Sequence, residues 1–133
     1  MKRWLIDMNI ISEMMRRRPD ARVEAWSIAE GDFHVCAITV EEITYGLERQ
    51  SLKTKLKWFE AFLSNRCEIL AVTESIATRA GSTRGQLASK GVTRAQPDML
   101  IAATAWTHGL TLATRNTRDF EGTGIALFNP LEA

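Results

Sequence analysis

Trp4-Leu5-Ile6-Asp7-Met8-Asn9-Ile10-Ile11-Ser12-Glu13-Met14-Met15 is the stretch whose reading decides the fold. Its first three residues are a short apolar run that ends in a carboxylate. This reads as a buried strand with an acid at its C-terminal tip. Asn9 is placed to cap a helix, and Ile10, Ile11, Met14 and Met15 recur at helical spacing. Arg16-Arg17-Arg18 closes that helix, where cations complement the dipole, and Pro19 stops it.

The same strand-then-helix grammar continues along the chain. Asp20 reads as the N-cap of a second helix with Val23, Trp26 and Ile28 turned inward, broken at Gly31. Phe33 to Ile38 is apolar and β-branched enough for a second strand. Thr39 then caps a helix carrying Val40, Ile43, Tyr45 and Leu47, with Glu42 as its capping-box partner. Leu52, Leu56, Phe59, Phe62 and Leu63 form another amphipathic helix. Ile69 to Val72 is a third strand, and Thr73 starts a helix that runs to Gly91. Pro97 suits the first turn of a further helix, which Gly109 ends. Leu110 to Ala113 is a fourth strand and Ile125 to Phe128 a last one. Alternation with short connections predicts an α/β sandwich: a central, mainly parallel sheet of four to five strands with helices on both faces.

Composition bounds the function. The 133 residues fit one domain, and 45% hydrophobic content supplies one core. A net charge of +1 excludes a histone-like basic protein but allows a nucleic-acid enzyme whose acidic site and basic rim cancel. Cys36 and Cys67 lack CxxC spacing and read as buried apolar residues. With His34 and His108 they stand too far apart in sequence for a zinc set. The apolar run after Met1 stops at Asp7, too short for a signal peptide, and no run reaches membrane-spanning length. The expected location is cytoplasmic.

In such sheets ligands bind at the carboxyl ends of strands. Four acids fall there: Asp7 after the first strand, Glu42 one turn into the helix after the second, Asp98 opening the helix before the fourth, and Asp119 just beyond the fourth. Crowded carboxylates repel one another unless a divalent cation neutralises them. An all-oxygen set suits Mg²⁺ or Mn²⁺ over Zn²⁺. Such ions serve phosphodiester hydrolysis. Each acid also has a plain structural reading: Asp98 as a helix N-terminal charge, Glu42 as a capping-box residue. Spacing alone leaves both readings open. Glu41 lies about 100° around the helix from Glu42 and does not share its direction.

At these residues the chain resembles the PIN-domain family, most closely the VapC and FitB toxins of type II toxin–antitoxin systems. The resemblance is carried by Asp7-Met8-Asn9-Ile10-Ile11-Ser12-Glu13, by Ala37-Ile38-Thr39-Val40-Glu41-Glu42-Ile43-Thr44-Tyr45-Gly46, by Asp98-Met99-Leu100-Ile101-Ala102-Ala103-Thr104-Ala105 and by Leu110-Thr111-Leu112-Ala113-Thr114-Arg115-Asn116. Phe128-Asn129-Pro130 adds to it. It runs almost end to end and implies a single PIN domain over residues 1–133. By position it implies that Asp7, Glu42 and Asp98 bind metal. Relatives place the fourth acid either at the position of Asn116 or three residues on, so Asp119 takes that role here and Asn116 is its polar neighbour. Asn9 and Ser12 are supporting residues.

One departure is sharp: the family usually has Thr or Ser where this chain has Met8. A thioether cannot donate a hydrogen bond. Either catalysis is slowed, or Met8 packs away and Ser12 supplies a hydroxyl.

Arg94, Arg115 and Arg118 flank the acids in sequence and are candidate RNA phosphate contacts. Trp4, Trp26, Trp58 and Trp106 fit core or interface packing better than base stacking. The resemblance implies a homodimer and a cognate antitoxin whose C-terminal segment covers the active site, with apolar surface on the first helices and the Leu52–Leu63 helix serving that contact. It implies an RNA substrate, and nothing selects among tRNA, rRNA and mRNA. The leading expectation is a metal-dependent endoribonuclease toxin. A catalytically impaired PIN module in a DNA-binding repressor complex is the alternative, and a DNA flap or repair nuclease on a related acidic fold is a third.

Overall fold

The computed structural model describes residues 3–132. Strand β1 (Trp4–Ile6) leads into helix α1 (Met8–Met14), then α2 (Ala21–Glu30), β2 (Phe33–Cys36), α3 (Ala37–Arg49), α4 (Lys53–Arg66) and β3 (Cys67–Leu70). Helices α5 (Glu74–Ser89) and α6 (Gln96–His108) come next, then β4 (Thr111–Ala113), a 3₁₀ turn (Thr117–Phe120), β5 (Leu127–Phe128) and a last 3₁₀ turn (Pro130–Glu132). The sheet has the order β3-β2-β1-β4-β5, and every pairing is parallel. Among the described residues no helix is long and apolar enough to cross a membrane.

Alternation along the strands divides the core in two, because successive side chains in a strand leave on opposite faces. Trp4 and Ile6 of β1 join Ile10, Val23, Trp26, Ile43, Phe59 and Phe62 from α1 to α4 on one face. Leu5, with Leu112 of β4, joins Ile76, Ala80, Met99 and Ile101 from α5 and α6 on the other. The expected α/β/α sandwich is therefore present, with five parallel strands.

Several element ends differ from expectation. Asp7, not Asn9, caps α1, its carboxylate accepting from the Met8 N–H; aspartate caps as well as asparagine and stands at the last extended residue. Cys36 in extended conformation is the N-cap of α3, so Thr39 lies inside the first turn and forms no capping box with Glu42. β2 ends at Cys36 and β3 at Leu70, each two residues early, because these two residues close the register between the strands. α1 ends before the arginine run: Met15 is the C-cap, and Arg16 turns its guanidinium to Glu13 at 3.3 Å. Ile28 and Tyr45 lie on exposed faces, 71% and 64% accessible, not inward. Gly109 ends α6 as expected, in the left-handed conformation (φ 63°) that a side chain disfavours.

The chain order places the site. From β1 the chain builds outward through β2 to β3, then crosses back to β4 on the other side of β1. The topological switch lies between β1 and β4, where a crevice opens at the carboxyl ends of open parallel sheets. Register puts Ile6 opposite Ala113, so the next residues, Asp7 and Thr114, emerge side by side.

Candidate active site

Asp7 sits at that switch point, 7% exposed, and its two oxygens are held differently. Oδ1 accepts the Met8 backbone N–H at 2.8 Å. Oδ2 accepts the Thr114 hydroxyl at 2.8 Å and, more loosely, the Asn9 side-chain amide at 3.4 Å. Thr114 is completely buried, and its hydroxyl oxygen also receives Asn116 N–H at 3.1 Å and the Asn9 amide at 3.3 Å. Burial nevertheless outweighs these bonds and holds the Asp7 carboxyl above the ordinary aspartate range. A carboxylate oxygen offers about two acceptor positions, so Oδ2 is filled and Oδ1 keeps one open.

The other three acids surround it electrostatically. Asp98, in the first turn of α6, is half-buried; desolvation first, and then the charges of Asp7, Asp119 and Glu42, push it up to about 6 against the opposing pull of Arg94. Glu42 is raised by partial burial and then by Asp7 and Glu41. Asp119 is exposed on the 3₁₀ turn after β4 and acts on both Asp7 and Asp98. All four sequence-predicted acids are thus brought into one field, Asp98 sensing the other three. Glu41 is exposed beside Glu42.

Among the described residues no group of three or more His, Cys, Asp or Glu side chains is drawn closely enough to hold an ion unaided. What fits a divalent cation is the donor chemistry: all four candidates are hard carboxylate oxygens, and the mutual repulsion felt at Asp98 is the kind of strain a divalent charge relieves. Two buried polar atoms in the neighbourhood have no hydrogen-bond partner: the Thr39 hydroxyl, a turn before Glu42 on the same helix face, and Nε of Arg94, whose charge acts on Asp98.

The supporting residues sort unevenly. Asn9 is placed as expected, bonded to Asp7 and Thr114, and its own carbonyl oxygen accepts Arg115 N–H at 3.0 Å. Asn116 reaches the site through its backbone. Ser12 is exposed, and its hydroxyl bonds none of the acids; it lines an open hollow of ≈ 200 Å³ with Met8, Met15, Glu42 and Lys55. Met8 does not pack away: it is 38% exposed in that hollow. Of the arginines, Arg118 is exposed, Arg94 donates to the Glu121 carbonyl at 3.1 Å and biases Asp98, and Arg115 is drawn to the buried Glu13 at 3.1 Å.

Two residues escaped the sequence reading. Thr114 is the hydroxyl partner of Asp7, and strand register was the signal for it: it comes directly after the residue paired with Ile6. Glu13, 4% exposed, offered a weaker signal as an acid in the last turn of a helix, where the dipole disfavours it. Trp4 and Trp26 are core residues in edge-to-face contact at 5.2 Å, whereas Trp106 is half-exposed under the Arg79 guanidinium. Cys36 and Cys67 are free thiols, and burial pushes Cys67 up to about 12.

Comparison with known proteins identifies the family and the fold. The family model described as PIN domain matches residues 4–125. Toxin FitB of Neisseria gonorrhoeae is 35% identical over 134 residues, covering 95% of this chain and 96% of that protein. The tRNA(fMet)-specific endonuclease VapC of Shigella flexneri is 30% identical over 125 residues, covering 93% and 94%. Among solved structures, DNA-bound VapBC from Salmonella typhimurium superposes with a TM-score of 0.86 at 27% identity, covering 98% of this chain and 99% of that one.

Proposed function

The chain belongs to the PIN-domain family and within it to the VapC- and FitB-like toxins, and on that premise we propose that residues 1–133 form one metal-dependent endoribonuclease domain hydrolysing RNA phosphodiester bonds. The observation that carries the proposal is the buried Asp7 carboxylate at the β1/β4 switch point, with Asp98, Glu42 and Asp119 charged around it. Asp7, Glu42, Asp98 and Asp119 are the residues that would hold Mg²⁺ or Mn²⁺, and the bound ion would supply neutralisation of phosphodiester charge and a more acidic water.

The chain's own residues prepare that site. Thr114 and Met8 N–H fix the Asp7 carboxylate through its two oxygens and leave one acceptor position of Oδ1 unfilled. Met99, Ile101 and Leu112 belong to the dry core on one face of the sheet and are closed to water. Arg118 and Arg94, on the rim beside Asp119 and Asp98, receive the phosphate backbone of the RNA. Arg115 is the weakest of the three candidates for that task because its guanidinium is ion-paired with the buried Glu13 carboxylate, whereas the Arg94 guanidinium bonds the neutral Glu121 carbonyl.

Met8 slows this enzyme without disabling it. Its side chain occupies the place of a hydroxyl beside Asp7 and Glu42, but the carboxylate retains a hydroxyl donor in Thr114. This favours a working nuclease over an impaired module. Met8→Thr is expected to raise turnover severalfold; no gain with unchanged metal affinity rejects the idea.

A cognate antitoxin covers the crevice, with Ile28 on α2 and Trp58 on α4 as exposed apolar contacts on the helices expected to meet it. The DNA-bound neighbour supports a toxin–antitoxin complex that also sits on DNA, and the family resemblance implies a homodimer acting in the cytoplasm. The test is incubation of purified protein with labelled tRNA, rRNA and mRNA in Mg²⁺ or Mn²⁺. Cleavage abolished by EDTA and by Asp7→Ala supports the proposal; EDTA-resistant cleavage, or none on any RNA, rejects it.

A further inference from the structure

Glu13 is a buried carboxylate in the last turn of α1, with 3% of its side chain accessible. That position opposes the helix dipole, and burial of a charge is costly, so neither local propensity nor core packing accounts for it. Its partners do. Oε1 accepts Arg115 Nη2 at 3.1 Å and Arg16 Nη1 at 3.3 Å, and Oε2 accepts the Asp20 N–H at 2.9 Å. One side chain thereby ties the end of α1, the start of α2 and the segment after β4.

The consequence falls on the site. Arg115 stands between Thr114 and Asn116, and anchoring its guanidinium fixes the backbone of both neighbours. Its N–H donates to Asn9 Oδ1 at 3.0 Å. With that oxygen occupied, the Asn9 amide nitrogen must turn toward Thr114 Oγ1 and Asp7 Oδ2. Thr114 then donates to the same Oδ2. A continuous chain of bonds runs from Glu13 through Arg115 and Asn9 to Asp7, the carboxylate proposed to hold the metal.

We infer that Glu13 and Arg115 are positioning residues of the active site, a buried acid–arginine clamp that sets the orientation of Asp7 through Asn9 and Thr114. The inference rests on the metal-site reading for its effect on cation affinity, and it reassigns Arg115 from RNA contact to scaffold. Outer partners of metal ligands typically change affinity by about 10–100-fold when removed.

Two readouts on the full chain separate this from its rivals. Mn²⁺ binding is followed by electron paramagnetic resonance titration of Glu13→Gln, Arg115→Met, the double variant and Asp7→Asn. Amide hydrogen exchange at Met8, Arg115 and Leu112 is followed in EDTA. Each single variant is expected to weaken Mn²⁺ binding about tenfold or more, and the double variant no further, since both break one chain of bonds. Exchange at Met8 and Arg115 quickens while Leu112, inside β4, holds. Because Arg115 is half-exposed, Arg115→Met decides the matter if Glu13→Gln does not fold. Unchanged Mn²⁺ affinity and unchanged exchange in Arg115→Met overturn the inference, and a salt dependence of RNA binding reduced by about one phosphate contact would then restore Arg115 to the RNA. If Asp7→Asn also leaves Mn²⁺ binding intact, the metal reading has failed, and the exchange rates alone decide for or against the clamp.

Discussion

Replacing Asp98 by Asn should stabilise the metal-free protein and destabilise the metal-loaded one. Asp98 is held at about 6, against an ordinary aspartate value of 3.8, by burial and by three neighbouring carboxylates. At 1.36 kcal/mol for each tenfold change in proton affinity, that gap corresponds to roughly 3 kcal/mol. The side chain is half open to water, so screening leaves on the order of 1–2 kcal/mol. Linkage sets the sign. The folded state keeps the proton up to about pH 6 while the unfolded chain releases it near 3.8, so stability falls as pH rises through that window. Asp98→Asn removes the fall. Urea unfolding in EDTA should show wild type and variant alike at pH 3.5 and the variant firmer by about 1–2 kcal/mol at pH 7, a rise of roughly 3–8 °C in melting temperature. Added Mn²⁺ should reverse the order, because the variant has lost a ligand. A variant less stable than wild type at pH 7 without metal would refute the reasoning: Asp98 would then be a satisfied helix-terminal charge and not a member of a repelling cluster.

The same geometry fixes three further outcomes. Thr114→Val removes the hydroxyl that Asp7 Oδ2 accepts at 2.8 Å and should weaken Mn²⁺ binding about 10–100-fold, measured by calorimetric titration, with the sheet intact by circular dichroism. Mn²⁺ affinity itself should climb between pH 5 and 7 as the proton on Asp98 leaves near 6, and should flatten above that range; a titration flat from pH 5 upward would contradict the assignment of Asp98 to the cation. Gly122→Ala should cost about 1–2 kcal/mol in urea unfolding, since φ there is +87° and a Cβ would stand 2.9 Å from Leu87 Cδ2.

The architecture was legible because alternation of apolar runs and amphipathic stretches is a property of neighbouring residues. Asp7 declared itself as an acid closing a strand, and Pro97 and Gly109 bracketed α6 through their own backbone preferences. The four acids were legible as positions after strands together with a family resemblance. The hidden features depend on register and packing. Thr114 matters only because β4 lies beside β1 with Ala113 opposite Ile6, a pairing between segments more than a hundred residues apart. Glu13 is partnered across about a hundred residues of chain, and only the fold brings Arg115 to it. Ile28 and Tyr45 are apolar residues left on outer faces, so periodicity alone turned them the wrong way. Strand ends shifted by two residues because Cys36 and Leu70 close the β2–β3 ladder, which no local preference encodes.

Anomalous diffraction from crystals of the protein soaked in Mn²⁺ tests the central claim most directly. A peak about 2.0–2.2 Å from an oxygen of Asp7, with Asp98 and the remaining acids reaching it directly or through water, is the predicted result. A crevice free of anomalous signal at saturating Mn²⁺, or manganese bound only at carboxylates elsewhere on the surface, would contradict it.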